Sequence, residues 1–333
     1  MNFLVIGLGS MGKRRVRLLK KYIENRKDGL CGEWKVAGVD SSLDRCKEAA
    51  LQFHMETYSA MEEALQNGHF DCVVVASPPL SHAGIIAKCL EHRLHVFTEL
   101  NLVEDGYKEN LSLAEQYGRV LFLSSTFLYR KEMEFIKRQV KEQGFGGGYR
   151  YHIGQYLPQW HPWERYQDFF VGKKRTNACR EIFAVELPWL VDIFGKIRAV
   201  QVFHKKASGL EIGYDDLYQV LMEHESGILG SLSVDVISPE AKRELEIWGE
   251  DFCIRWNGSP ETLCWYDKER KMFEPVCLYE HVEHLEDYSR FVVENAYYEE
   301  LADFIGTVER GTSPRWSFER DREVLGVIDR IEA

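Results

Sequence analysis

The chain has 333 residues, 45% of them hydrophobic and 29% charged, with 53 acidic against 42 basic side chains and a formal net charge of −11. That length suits two domains, or one large one with a sizeable core, and the acidic balance argues against nucleic acid or an anionic membrane as partner, since both reward basic patches. The longest apolar runs, FLVIGLG at 3–9 and CVVVA at 72–76, fall far short of a membrane span.

The opening MNFLVIG has no basic n-region and runs straight into a glycine motif, so it reads as structure rather than as a signal peptide. Eight scattered cysteines with no C-x-x-C fit reduced, mostly buried thiols. His281 and His284, in YEHVEHLED, suit a solvated acidic face better than a metal site. The expectation is a cytoplasmic protein with no metal.

In chain order, Asn2–Ile6 reads as a short buried strand and is followed by GLGSMG at 7–12. A G-x-G-x-x-G alone is weak evidence, but here it follows a strand and opens a helical pattern through Val16, Leu18, Leu19 and Ile23. Gly7 permits the tight turn, Gly9 lets the backbone approach a pyrophosphate, and Gly12 lets helix and strand pack closely. The N–H groups of Ser10 and Met11 would then face the phosphates.

Lys35–Val39 reads as the second strand and ends at Asp40. An acid there can accept from both ribose hydroxyls of NAD and would repel a 2′-phosphate, although it can also serve as a strand-end cap. The interval from Gly12 to Asp40 is long, and the excess fits a surface insertion at 24–33. Arg45 nearby leaves NADP possible.

The alternation then continues, with helices over Leu43–Phe53, Met61–Gln66, Leu80–Glu91 and Glu104–Tyr117. Strands are expected at Cys72–Ala76, His95–Phe97 and Val120–Leu123. Such alternation implies an α/β, doubly wound parallel sheet, a Rossmann domain over 1–125, with ligands at the carboxyl ends of its strands. Three loops lie at those ends: GLGSMG, SPPLSH at 77–82, and TELN at 98–101.

Together these loops resemble those of the Gfo/Idh/MocA family of NAD(P)-dependent sugar and polyol oxidoreductases. The family carries a proline-containing loop followed by His, here Ser77, Pro78 and His82, and a strand-end E-K-P tripeptide, here Glu99, Leu100 and Asn101. The resemblance implies that Glu99 helps build the nicotinamide site, and that Leu100 stands where a lysine would contact cofactor and substrate hydroxyl. It also implies a C-terminal α/β domain, 126–333, with an open, mostly antiparallel sheet that carries the substrate site and forms homo-oligomer contacts.

Strand-like stretches at Arg198–Lys206, Leu217–His224, Ile228–Val236 and Arg243–Ile247, separated by turn-prone HESG and SPEAK, fit that sheet. Val200, Val202, Leu232, Val234 and Trp248 are expected to give it a second apolar face. Helices near Tyr288–Arg310 and Ser317–Ile331 close the chain, the latter capped by Ser317; these final helices can pack back on the first domain.

A family pattern D-x-G-x-H-x-x-D, aligned without gaps from Gly195, falls on Glu181, Phe183, Val185 and Pro188. The first acid survives as glutamate, and the histidine is valine. Candidate replacements for the missing proton handlers are Glu186, beside the vacant position, and His161, within the aromatic stretch YLPQWHPWERY at 156–166. That stretch can stack on a sugar or plug the domain core. Glu186 can equally be a structural ion pair with an arginine such as Arg180. If Pro188 begins a helix, Glu186 lies near its positive end.

The leading reading is an NAD-dependent oxidoreductase acting on a sugar or nucleotide sugar, in carbohydrate metabolism, with a reorganised proton relay. The alternatives are a cofactor-binding protein without redox turnover, and an epimerase or lyase working through transient oxidation.

Overall fold

The computed structural model describes residues 1–26, 34–142, 144, 146–160, 164–284, 289 and 291–333. The expected insertion therefore lies largely outside the described residues, as do His161 and Tyr288. The chain divides into two compact units, one of residues 1–125 with 297–320 and one of 126–296 with 321–333.

In the first unit β1 (Phe3–Ile6), α1 (Ser10–Asn25), β2 (Val36–Val39), α2 (Leu43–Phe53), β3 (Thr57–Tyr58), α3 (Met61–Asn67), β4 (Cys72–Val75), α4 (His82–Glu91), β5 (His95–Thr98), α5 (Tyr107–Tyr117) and β6 (Leu121–Leu123) alternate as expected. The six strands run parallel in the order β3-β2-β1-β4-β5-β6. Strands β1, β2 and β4 are buried at every position, which is why they read as continuous apolar runs rather than as alternations. Leu4, Val73 and Val96 face one core with Ile86 and Leu90 of α4. On the other face Phe97 and Phe122 stack at 5.4 Å, and Phe304 meets each edge-on at 5.6 Å. Two-residue β3 lacks a run long enough to register as a strand in the sequence.

The second unit holds α6 (Lys131–Glu142), β7 (Gly148–Tyr156), α7 (Ala178–Phe194), β8 (Ile197–Lys205), β9 (Leu217–His224), β10 (Leu229–Asp235), β11 (Ile237–Gly249), β12 (Phe252–Trp256), β13 (Cys264–Asp267) and β14 (Met272–Pro275). Their sheet has the order β14-β13-β12-β11-β7-β10-β9-β8. Every pairing is antiparallel except β7 with β10. Two helices near the end of the chain, α8 (Glu294–Arg310) and α9 (Phe318–Ile331), complete the elements, and Ser317 Oγ accepts from Arg320 N at 3.3 Å. Among the described residues no helix is long and apolar enough to cross a membrane.

Three expectations need correction. SPEAK does not interrupt the sheet, because β11 runs through it and absorbs it as an irregularity between Ile237 and Lys242. Pro188 does not begin a helix but lies inside α7, so Glu186 is more than a turn beyond the first residues of the helix and out of reach of its positive end.

The proposed second apolar face is also misassigned. Leu232 and Val234 are fully buried, and Val200 and Val202 pair with Met222 and Val220 on the same inner side. That side is covered by α7, whose Phe183, Trp189 and Phe194 pack on Tyr218, Tyr151 and Tyr149. Side chains alternate across a strand, so of the expected residues Trp248 lies on the outer side, which also carries Leu221 and Leu229 among polar neighbours such as Arg150, Ser231 and Glu246.

The glycine motif gives a sharp packing prediction. A Cβ on Gly12 would sit 1.8 Å from the Gly7 carbonyl oxygen, whereas one on Gly9 would meet nothing within 4 Å. Gly12→Ala should cost about 3 kcal/mol or more and lower the melting temperature; Gly9→Ala should not. Equal melting of Gly12→Ala and wild type would disprove the close approach.

Candidate active site

The glycine loop joins β1 to α1. Gly7 adopts φ +94°, and a Cβ there would lie 2.6 Å from the Ala76 carbonyl, so only glycine turns the chain between β1 and β4. Gly9 caps α1 with no side chain, and the first turn carries no acid. The positive end of the helix is thus left to an external anion. At the end of β2, Asp40 is buried and accepts from Leu8 N at 2.8 Å and from Ser42 N at 2.8 Å. It therefore braces the glycine loop as well as marking the β2 end. A carboxylate has about four acceptor directions, so two remain for ribose hydroxyls. Arg45 approaches it at 3.8 Å. An open Gly9, an uncapped helix end and an acid at β2 fit a dinucleotide without a 2′-phosphate.

The second loop is locked to the third. His82 is buried, with Nε2 2.7 Å from the Ser77 carbonyl and Nδ1 2.6 Å from Asn101 Oδ1. Burial pushes the His82 pKa down, against the opposing pull of the Asn101 and Ser77 oxygens. Pro78 precedes a single helical turn that leads into α4. Leu100 is half-buried and brings no titratable group to the tip of β5.

Glu99 has a partner that the sequence did not suggest. Its Oε1 accepts from Arg15 Nε at 2.5 Å, and Arg15 Nη2 donates to Glu300 Oε2 at 2.7 Å. Ser124 Oγ lies 3.2 Å from the same Nη2 and donates to Glu300 Oε1 at 3.0 Å, an oxygen that also accepts from Ser125 N at 2.7 Å. The guanidinium lies over the Phe97 ring at 4.5 Å. Burial alone would lower the Arg15 pKa, but Glu99 and Glu300 outweigh it and hold the group charged. Arg15 falls on the stripe of α1 that also holds Gly12, Val16 and Leu19. A charge on that stripe was the available signal.

In the second unit Glu186 is fully buried, and its carboxylate is filled. Tyr151 OH donates to Oε2 at 2.8 Å and Trp189 Nε1 at 2.8 Å, while Arg243 grips Oε1 through Nε at 3.0 Å and Nη2 at 2.8 Å. Arg243, not Arg180, is the arginine; Arg180 reaches Asp329 and Glu332 instead. Glu181 differs. It lies one turn before Val185, on the less buried side of α7, and its Oε2 is buried with no hydrogen-bond partner among the described residues. Burial pushes its pKa up to about 7. Of the aromatic stretch, Tyr156, Glu164 and Arg165 are exposed and Trp160 is half-buried.

Residues 1–124 match the oxidoreductase family described as having an NAD-binding Rossmann fold. Mouse biliverdin reductase A is 30% identical over 139 residues, which cover 41% of this chain and 43% of that protein; the chain thus matches less than half the length of this relative. Whole-chain likeness comes from solved structures. An Agrobacterium radiobacter oxidoreductase, in complex with NAD+, L-tartaric acid and magnesium, superposes with a TM-score of 0.81 at 15% identity over 99% of this chain and 94% of its own. The WlbA dehydrogenase from Bordetella pertussis, in complex with NADH and UDP-GlcNAcA, gives 0.74 at 16% identity over 99% and 94%. At these identities the likeness shows the fold.

Glu181 predicts a pH-dependent stability. Its folded-state pKa of about 7 lies above the ordinary 4.5, so its contribution is intact below about 4.5 and is lost as pH rises towards 7. Glu181→Gln removes that loss. The variant should match wild type near pH 4 and exceed it near pH 8 by on the order of 3 kcal/mol in denaturant unfolding. A difference independent of pH would mean the carboxyl is not buried.

Proposed function

We propose that this chain is an NAD-dependent oxidoreductase acting on a hydroxyl or ketone of a sugar or nucleotide sugar, a reading supported by the match of residues 1–124 to the Gfo/Idh/MocA oxidoreductase family with its NAD-binding Rossmann fold. The observation that carries the reading is the cradle formed by Gly9, the uncapped end of α1 and Asp40. The likeness to a dehydrogenase structure holding UDP-GlcNAcA supports a nucleotide sugar. Bound NAD supplies the hydride acceptor; the chain must supply binding, orientation and proton transfer. Glu181 takes the proton-handling role, since its Oε2 has no hydrogen-bond partner among the described residues and its pKa of about 7 suits a general acid or base near neutral pH. His161 is the second candidate. Glu186, with each carboxylate oxygen already bonded, serves as the strut that holds α7 to β7 and β11. A homo-oligomer formed through the outer side of the second sheet completes the reading, supported by exposed Phe203, Leu221 and Leu229.

A second reading, NAD binding without turnover, is favoured by Leu100 and Val185, which place no proton-transferring group where the family has lysine and histidine.

Activity separates the two. Nucleotide sugars should change absorbance at the nicotinamide band, and Glu181→Gln should lower kcat by roughly 10²–10⁴-fold with NADH affinity unchanged. Full activity in that variant would remove Glu181 from the mechanism, and no turnover with any sugar would favour the second reading. For the cofactor, Asp40→Ala should weaken NADH more than NADPH, by roughly 10-fold or more for lost bonds to a charged acceptor. Tighter binding of NADPH than NADH by wild type would overturn the choice of NAD.

A further inference from the structure

Glu300 lies far from the glycine motif in sequence, yet it grips the same guanidinium as Glu99. Arg15 stands one turn beyond Gly12 on α1, the helix whose first residues face the diphosphate position. Glu99 follows β5, and Ser124 and Ser125 follow β6. One planar group therefore ties α1 to the ends of two strands, and Glu300 holds its far edge through Arg15 and both serines. Arginine's donors form a fixed fork, so displacing one carboxylate rotates the whole group and moves the other.

The two ends of the cradle differ in this respect. Asp40 marks the adenosine side at β2, and its bonds go to Leu8 N and Ser42 N. In a sheet of order 3-2-1-4-5-6 a dinucleotide crosses from β2 past β1, so its nicotinamide half falls towards β4 and β5. There Glu99 has Oε1 occupied by Arg15, while no described residue bonds its Oε2.

We propose that Glu300 is a positioning residue for the nicotinamide half of the cofactor: through Arg15 it sets where Glu99 presents its open oxygen and how α1 meets β5. The proposal rests on the NAD-binding reading above. It assigns Glu300 no contact with cofactor or substrate.

The test compares NADH with ADP-ribose, which lacks the nicotinamide ring. Glu300→Gln should weaken NADH by roughly 10- to 100-fold, as expected for loss of a well-placed charged hydrogen bond. ADP-ribose affinity should stay within about twofold, the scale of an unperturbed contact. ADP-ribose binding also reports that the variant is folded. Ser124→Ala, which removes one hydroxyl bridging Arg15 and Glu300, should weaken NADH alone by roughly 3- to 10-fold. Equal weakening of both ligands would mark Glu300 as merely structural, and unchanged NADH affinity in either folded variant would equally overturn the proposal. If Glu300→Gln does not fold, Ser124→Ala decides by itself. Failure of wild type to bind either ligand would overturn the NAD reading first, and the proposal with it.

Discussion

A guanidinium shut away from water between two carboxylates is the constraint on which the first unit depends. Arg15 and Glu300 are fully buried, and removing charges from water costs several kcal/mol per ion even after relaxation. The triad persists because each member is matched: Arg15 by Glu99, Glu300 and Ser124, and Glu300 by Ser124 and Ser125 as well. An apolar cluster would hold α1 on the sheet at least as firmly, but it would not fix the direction of a carboxylate at the tip of β5. The arrangement favours geometry over stability. Its position, one turn from the glycine loop, puts that geometry beside the cofactor cradle.

The second unit separates the same two uses of charge on a single helix. Glu186 and Glu181 lie five residues apart on α7 and meet opposite conditions. The inner one receives Tyr151, Trp189 and Arg243, so its charge is satisfied and its oxygens are spent. The outer one has a buried oxygen with no described donor, and burial alone raises its pKa. A carboxylate with all its acceptor directions filled suits architecture, whereas a buried polar atom without a partner and a raised pKa mark a candidate for chemistry.

Much of the first unit was legible because its signals are local. Continuous apolar strands, the three glycines and Asp40 at a strand end are each recognised from residues a few places away, even though Asp40 reaches Leu8 N and Gly7 meets Ala76 across the fold, and the alternation of strand and helix follows from them. Partnerships across long stretches of chain were not legible. Glu99 was visible as a carboxylate at a strand end, but nothing near it in sequence names Arg15, and nothing near Arg15 names Glu300. The outer and inner sides of the second sheet were confused for a related reason. Val200, Leu232 and Val234 alternate correctly, but which side α7 covers is decided by Phe183, Trp189 and Phe194, whose own helix was obscured by Pro188. Strand β7, with tyrosines at 149 and 151 facing inward and Arg150 facing outward, alternates without a purely apolar face and so gave little signal.

The central claim is that the cradle of Gly9, α1 and Asp40 holds NAD. Calorimetric titration of the purified protein with NADH tests it most directly. The account predicts saturable binding of one NADH per chain, with a dissociation constant on the order of micromolar, equivalent to about −8 kcal/mol. Absence of binding at millimolar NADH, in protein shown to carry no retained nucleotide, would contradict it.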